Sequence, residues 1–402
     1  MTRSRVLFFL LSALLVFPML AGTLLLAADR GRRPDSKIDK KDDSLYKYLG
    51  VFSEVLGLIR QTYVDEPDMD ALMTGALEGA TDALDPFSYY VPASQVDRYL
   101  QASATGQRLS GLVLLKEHGI AYVVSVQKGS PADAAGVRAG DIFAKVGTRQ
   151  TRTMPLWEMH ETLAAKAGTS VTIELIRLGA PVTATFVLQP FTMPPPALQE
   201  VEGATLLRIP SFDAETAGQV RLALGQAGKQ AHGKLLIDLR AVSWGDPEAA
   251  YATAKLFTGG SLGTLSRRKE VLQSFAGNEP PAWQGKLVLV VDRSTLGPAE
   301  IFATILHQEL KADLVGERTF GHAGRQGTAV MSSGGRLFFT DAFYTGPDGH
   351  LLNEGLKPDL LVNERSRTYL EKDVPMTELI LRRAVHRLLG DQAIAKTLKA
   401  PA

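Results

Sequence analysis

At about 150 residues per domain, a chain of 402 residues has room for two or three domains, so a single small module is excluded. The 44 basic and 43 acidic side chains nearly cancel and 45% of the residues are hydrophobic, which favours neither nucleic-acid binding nor disorder. The chain has no cysteine, which excludes disulfides, thiol nucleophiles and cysteine-ligated metals. No HExxH-type spacing of metal ligands is present, and we expect no cofactor.

The first segment predicts contact with a membrane. Residues 6–28 carry no charge and, at about 1.5 Å per residue, are long enough to cross a hydrocarbon core of about 30 Å. We therefore expect residues 1–28 to be an uncleaved membrane anchor, with a cleaved signal peptide as the alternative. Residues 29–43 mix six basic and five acidic side chains and predict a polar tether.

Residues 44–100 predict a helical region. Apolar residues recur every three or four positions in 45–63 and again in 72–84, the pattern of two amphipathic helices. Pro86 ends the second helix, because proline disfavours helical geometry in the residue before it. A further short helix is expected at 94–100.

Residues 101–190 change to short apolar and β-branched runs around one helical stretch, which predicts a small β-rich domain. Within it, residues 129–142 read GSPADAAGVRAGDI, which resembles the PDZ domain of secreted proteases. The resemblance implies a loop whose backbone N–H groups receive a peptide's carboxylate, formed by Leu109, Ser110, Gly111 and Leu112. The alternative is a PDZ domain that serves only as a spacer or lid.

Residues 191–372 follow a proline-rich linker and predict an α/β domain. Near-continuous apolar runs at 205–209, 234–240 and 286–292 alternate with helical stretches, as in a buried parallel sheet. Residues 373–402 predict a C-terminal helical segment that is broken near Gly390.

The order of these parts resembles the tail-specific, or carboxy-terminal-processing, serine proteases. The segments that carry the resemblance, besides the PDZ-like one, are QTYVD at 61–65, LDPFSY at 84–89, LIDLR at 236–240, VVDR at 290–293, AEIFA at 299–303, VGERTFG at 315–321, GPDG at 346–349 and GLKPD at 355–359. The resemblance implies an α+β multidomain fold with a PDZ-like domain and a protease-like α/β domain that has a crotonase-like core.

Catalysis in that family uses a serine nucleophile and a neutral lysine as its base. By the resemblance, the serine position is occupied by Gly297 and the lysine position by His322, whereas the accompanying glutamine is kept as Gln326. A catalytic Ser–Lys dyad is therefore not expected in this chain.

The resemblance also implies an altered oxyanion region. One donor in the family is the N–H of the residue after the serine, here Pro298, which has no N–H. The other donor comes from a glycine pair, which corresponds here to Trp244 and Gly245. Loss of a single oxyanion donor typically costs about 10²–10³ in rate.

These changes predict a catalytically inactive pseudoprotease that binds protein C-termini or unfolded polypeptide as a scaffold or regulator. Two alternatives stay open: an active serine endopeptidase that uses Ser294 or Thr295 with His322 as base, and an oligomerising assembly partner. By the resemblance, we expect inner-membrane attachment facing the periplasm or cell exterior, or secretion to the periplasm if the signal is cleaved. The expected partners include a second copy of the chain or an active protease, but no nucleic acid.

Overall fold

The computed structural model describes residues 40–106, 109–230 and 233–390. The anchor expected at residues 1–28 and most of the tether lie outside these ranges. Across the described ranges, none of the helices combines the length and apolar character that a membrane crossing needs. The chain divides into two compact units, the first ending at Leu72 and the second beginning at Met73.

The secondary structure alternates short strands with helices of moderate length. The α-helices are α1 (Lys40–Thr62), α2 (Met69–Asp82), α3 (Val96–Gly106), α4 (Pro131–Ala134), α5 (Leu156–Leu163), α6 (Thr216–Gln230), α7 (Pro247–Ala254), α8 (Pro298–Leu310) and α9 (Met376–Leu389). Single 3₁₀ turns occur at Ala93–Gln95, Thr151–Thr153, Glu364–Ser366 and Tyr369–Glu371.

The strands number seventeen within the described residues. They are β1 (Tyr89–Val91), β2 (Leu112–Glu117), β3 (Ile120–Val126), β4 (Ile142–Val146), β5 (Arg149–Gln150), β6 (Ser170–Arg177), β7 (Ala180–Val187), β8 (Ala197–Val201), β9 (Ala204–Arg208), β10 (Lys234–Asp238), β11 (Gly260–Arg267), β12 (Glu270–Gly277), β13 (Lys286–Val291), β14 (Asp313–Gly316), β15 (Gly324–Val330), β16 (Arg336–Tyr344) and β17 (Leu360–Leu361). The apolar runs predicted at 205–209, 234–240 and 286–292 correspond to β9, β10 and β13, within two residues at each end.

Helix α1 makes up most of the first unit that the structure describes. It begins at Lys40, inside the segment expected to be a tether, and so is longer than the sequence pattern predicts. Its apolar side chains are largely exposed, among them Leu45, Tyr46 and Leu49. Packing inside this unit therefore does not explain why α1 carries a stripe of apolar side chains.

The PDZ domain is an antiparallel sheet of order β2-β3-β4-β6-β7, with β5 paired to β4. Its core is built on Phe143, Met159, Ile173 and Leu175, all of them fully buried. Alternation of inward apolar and outward polar side chains along β6 explains why this strand has one buried face. Strand β2 is at the edge of the sheet as described, with β3 as its one sheet neighbour.

The α/β domain contains a six-stranded sheet of order β17-β14-β13-β10-β9-β8, in which the pair β8–β9 is antiparallel and the other pairs are parallel. The central strands are apolar on both faces because helices cover both. Side chains of α6, α7 and α8 pack on one face, and those of α9 pack on the other.

A third sheet, of order β1-β16-β11-β12 with β15 also paired to β16, was not predicted from the sequence. Strand β1 falls within residues 44–100, between the second and third predicted helices, where no strand was expected. Tyr89 pairs with Phe338 and Val91 with Arg336, and both tyrosines of β1 are buried. The aromatic and β-branched residues after Pro86 favour a strand. The local sequence does not show that this strand pairs with β16, which is distant in the chain.

Candidate functional site

The sharp turn between β13 and α8 is the centre of the site. Gly297 stands at the N-cap of α8 with φ 60° and ψ −113°, a conformation that glycine adopts most easily. A Cβ atom placed on Gly297 would have as its nearest neighbour the carbonyl oxygen of His322, 3.9 Å away. The fold therefore has room for a side chain at the position where the family resemblance places the nucleophile, and this chain has none.

The buried carboxylate of Glu300 joins this turn to the loop before β15. Its Oε1 accepts hydrogen bonds from Thr319 Oγ1 at 2.5 Å and from Gly321 N at 2.6 Å. Its Oε2 accepts from Gly297 N at 3.1 Å and from His322 N at 3.0 Å. Burial raises the pKa of Glu300 to about 7, although the four hydrogen bonds act to lower it. Glu300 thus fixes Gly297 and His322 next to each other.

His322 is a neutral, aromatic-packed imidazole in this arrangement. Its Nε2 lies 3.2 Å from Thr340 Oγ1, and its ring centroid is 4.7 Å from that of Phe87 and 5.4 Å from that of Phe343. Burial lowers the pKa of His322, an effect that Asp85 partly opposes. At neutral pH the ring therefore has no charge to offer a substrate.

The hydroxyls considered as replacement nucleophiles are engaged elsewhere. Ser294 is buried and its Oγ donates to the carbonyl of Val124 at 2.7 Å. Thr295 is also buried, and its Oγ1 donates to the carbonyl of Leu239 at 3.0 Å. Neither hydroxyl is bonded to His322, so the structure does not assemble the predicted Ser294–His322 or Thr295–His322 pair.

The oxyanion region predicted around Trp244 and Gly245 follows strand β10. Gly245 has φ 137°, and a Cβ atom there would lie 2.2 Å from the carbonyl oxygen of Phe212. That carbonyl accepts a hydrogen bond from Asp246 N at 2.7 Å. Gly245 therefore packs closely on Phe212, and Pro298, at the start of α8, lacks an N–H to donate.

A cavity of about 250 Å³, here called the His322 cavity, lies beside these groups. Its apolar wall includes Leu112, Val113 and Leu114 of β2, from the PDZ domain. Its polar wall includes His160, Ser243, Trp244, Gly297, His322 and Gln326. The site is therefore formed jointly by the PDZ and α/β domains.

Two further predicted groups can be placed. Gln326 lines the His322 cavity, and its Nε2 donates to the carbonyl of Phe87 at 3.3 Å. In the predicted carboxylate loop, Ser110 is buried, and its Oγ accepts a hydrogen bond from Leu112 N at 3.3 Å. Gly111 has φ 78° and packs against Ser130, so this part of the loop is closely packed.

The sequence did not indicate His160 and Ser243 as site residues, and the structure brings both to the His322 cavity. His160 lies on α5, and burial lowers its pKa to about 4. No spacing pattern could have revealed either residue, since they reach the cavity from different domains.

The sequence predicts no metal site at His307 and His322. His307 Nδ1 lies 2.9 Å from the carbonyl oxygen of Ala312, away from the His322 cavity. Throughout residues 40–106, 109–230 and 233–390, no group of three or more histidine, cysteine or acidic residues could hold a metal ion.

The comparisons with known proteins agree with this architecture. Residues 203–362 match peptidase family S41, and residues 122–177 match the PDZ domain. The "Probable CtpA-like serine protease" of Staphylococcus aureus (strain COL) is 25% identical over 334 residues, which is 82% of this chain and 67% of that protein. The carboxy-terminal processing protease CtpA of Bacillus subtilis (strain 168) is 27% identical over 355 residues, 85% of this chain and 74% of that protein.

Among solved structures, the photosystem II D1 C-terminal processing protease matches with a TM-score of 0.65 at 24% identity, over 83% of this chain and 91% of that one. This likeness shows a shared fold. Fold and comparisons together define a protein with a PDZ domain and an α/β domain like that of peptidase family S41. Residues 203–362 match peptidase family S41 and residues 122–177 match a PDZ domain, and the chain as a whole is similar to carboxy-terminal processing proteases. It spans 65% to 67% of the length of the Staphylococcus aureus relatives.

Proposed function

We propose that this chain is a membrane-tethered homologue of the carboxy-terminal processing proteases that binds polypeptide without hydrolysing it. The observation that carries the proposal is Gly297 at the turn before α8, where no side chain is available to attack a peptide bond. His322 stands in the position of the base with its Nε2 3.2 Å from Thr340 Oγ1 and no nucleophile beside it, and Pro298 offers no N–H to an oxyanion. The three changes affect nucleophile, base and oxyanion donor together.

Binding is supported by the parts of the site that remain. Strand β2 is an edge strand of the PDZ sheet as described, and it lines the His322 cavity. An extended peptide could therefore add to the sheet at this edge. The Bacillus subtilis relative is by its name a carboxy-terminal processing protease, and a non-hydrolytic homologue would act as a scaffold or regulator for the same class of polypeptide.

The binding experiment uses the full-length chain in mild detergent and an unfolded, fluorescein-labelled polypeptide, with anisotropy as the signal. We expect saturable binding that a folded globular protein does not compete away. Absence of binding to any unfolded polypeptide would refute the proposed function.

The attachment to the inner membrane, with the folded part in the periplasm or outside the cell, is part of the same proposal. It is supported by the uncharged stretch at residues 6–28. Cell fractionation of the full-length chain should place it with membranes, and deletion of residues 1–28 should release it to the soluble fraction. If the full-length chain and the chain without residues 1–28 divided in the same way between membrane and soluble fractions, the anchor would be contradicted.

A second candidate, assembly through α1, is favoured by the exposure of that helix's apolar side chains. Leu45, Leu49 and Leu58 are each more than half exposed in the described structure. A second copy of the chain would cover this face. Light scattering on the detergent-solubilised protein should then report a dimer or larger species, whereas a monomer at micromolar concentration would argue against assembly.

A further inference from the structure

A second cavity, here called the Gln127 cavity, has a volume of about 450 Å³. It is lined by Gln127 after β3, by linker residues 191–193, and by the loops that follow β9 and β10. Of its lining residues in the described chain, only Trp244 also lines the His322 cavity. Small-molecule sites commonly measure about 300–1,000 Å³, so this separate space is large enough for a small ligand or a long side chain.

Two buried polar side chains of this cavity have no hydrogen-bond partner among the described residues. Gln127 is 4% exposed and Ser211 is 6% exposed. Each of the other buried polar or charged side chains in the described ranges takes part in at least one hydrogen bond.

The polar atoms of Gln127 and Ser211 face the open space of the cavity. Ser243 Oγ and His160 Nδ1 are sealed from solvent, whereas the unpaired atoms of Gln127 and Ser211 keep accessible surface. Buried polar groups in folded proteins are nearly always paired, so two unpaired ones in one cavity point to a ligand that pairs with them.

Two aspartates lie side by side at the mouth of the Gln127 cavity. Phe212 and Gly245 pair as in a parallel sheet, so the residues that follow them are neighbours. These residues are Asp213 and Asp246, and both are exposed and line the cavity. Like charges in neighbouring positions repel each other, and the cavity has no lysine, arginine or histidine among its lining residues in the described chain. A cationic ligand would relieve this repulsion.

Each aspartate caps a helix and keeps one oxygen for a ligand. Asp213 Oδ1 accepts a hydrogen bond from Thr216 Oγ1 at 2.8 Å, at the start of α6. Asp246 Oδ1 accepts one from Glu248 N at 2.9 Å, at the start of α7. The positive ends of these helices favour anions, and each capping carboxylate offsets that preference with a full negative charge. The Oδ2 atoms accept no hydrogen bond from the described residues.

We propose that the Gln127 cavity binds a guanidinium group, which donates hydrogen bonds to the two aspartates, Gln127 and Ser211. Phe191 and Trp244 line the same cavity and offer aromatic surface on which a planar cation stacks. A guanidinium has a fork of N–H donors that fits carboxylates, whereas an ammonium is a compact point charge. The group belongs either to a free alkylguanidine or to an arginine side chain of a bound polypeptide, and only the second source rests on the proposed function.

The first experiment titrates the full-length protein in mild detergent with N-butylguanidine, N-butylurea and n-butylamine, followed by ligand-observed NMR. Butylurea has nearly the shape of butylguanidine but no charge. We expect butylguanidine to bind at least about tenfold more tightly than butylurea, as loss of charge-assisted hydrogen bonds implies, and more tightly than butylamine. Equal affinity for butylguanidine and butylurea would overturn the proposal.

The double variant Asp213→Asn and Asp246→Asn removes both charges and keeps the helix caps, because asparagine caps as well as aspartate does. It should weaken butylguanidine at least about tenfold and leave butylurea unaffected. Ser211→Ala should weaken butylguanidine about threefold without lowering the thermal midpoint, because the hydroxyl has no partner among the described residues.

Two control variants lie outside both cavities. Asp68→Asn is the matched control, because Asp68 caps the start of α2 through hydrogen bonds from Asp70 N and Ala71 N. His350→Gln changes a highly exposed histidine. Both should bind butylguanidine as the original chain does. If they weakened it as much as the double aspartate variant does, the cavity assignment would be wrong.

The second experiment identifies the source of the cation with a fluorescein-labelled unfolded peptide that contains either arginine or its uncharged analogue citrulline. Tighter binding of the arginine peptide, abolished by the double variant, would assign the guanidinium to polypeptide. Equal affinity of the two peptides, with butylguanidine bound, would assign it to a free ligand. Equal affinity without binding of butylguanidine would overturn the cavity assignment and leave polypeptide binding intact. If neither peptide bound but butylguanidine did, the proposed function would be contradicted and the cavity assignment kept.

Discussion

One carboxylate sets the geometry of Gly297 and His322. Glu300 bonds to the turn at Gly297 and to the loop that contains His322, and it accepts four hydrogen bonds while almost fully buried. Desolvation makes its charged form unfavourable in the folded state. The hydrogen bonds of Glu300 hold the Gly297 turn in place, although residue 297 has no side chain that could act as a nucleophile.

Glu300→Gln should destabilise the protein. A glutamine has one acceptor oxygen, so its amide group would face two backbone N–H donors, at a cost of about 3 kcal/mol in the free energy of unfolding. The folded-state pKa of Glu300, about 7, lies above the ordinary value of 4.5, so its contribution to stability is present below pH 4.5 and is lost as pH rises through 7. The variant should lose this pH dependence.

Thermal midpoints measured from pH 4.5 to 7 for both proteins check this expectation. The midpoint of the original chain should fall more steeply with pH than that of the variant. Parallel curves would contradict the role assigned to Glu300.

At the scale of elements, the start of β2 is held by glycine. Gly111 has φ 78°, and a Cβ atom there would lie 2.1 Å from Ser130 Cβ. Gly119, in the turn between β2 and β3, has φ 77°, and a Cβ atom placed on it would have no neighbouring atom within 4 Å. The two positions share a backbone conformation and differ in free space.

Gly119→Ala should cost about 1 kcal/mol, the strain of a left-handed alanine. Gly111→Ala adds a steric clash that shifts β2 or Ser130, so its thermal midpoint should fall at least twice as far and its affinity for unfolded polypeptide should drop. Equal changes in midpoint for the two variants would show that the packing at Gly111 is unimportant.

The elements differ in how well the sequence predicted them. Strands β10 and β13 are near-continuous apolar runs, which a buried parallel strand requires, and both were predicted. Strand β15, with the sequence GRQGTAV, has no such pattern. It forms because it pairs with β16, and a single sequence does not show which distant segments pair.

At the scale of the whole molecule, the site could be predicted only in part. The family resemblance pointed to Gly297 and His322, and in the structure the Glu300 carboxylate accepts a hydrogen bond from the backbone N–H of each. It did not reveal His160 or Ser243, because the cavity exists only where the PDZ domain meets the α/β domain. The contact between Ser294 Oγ and the carbonyl of Val124 belongs to the same junction.

The central claim is that this chain binds polypeptide without cleaving it. The most direct measurement is mass spectrometry of a saturating, unlabelled peptide ending in leucine after prolonged incubation with the full-length protein, with binding followed in the same sample. We predict that the peptide binds and is recovered intact. Fragments produced by the original chain and by His350→Gln, but not by His322→Gln or Ser294→Ala, would contradict the claim.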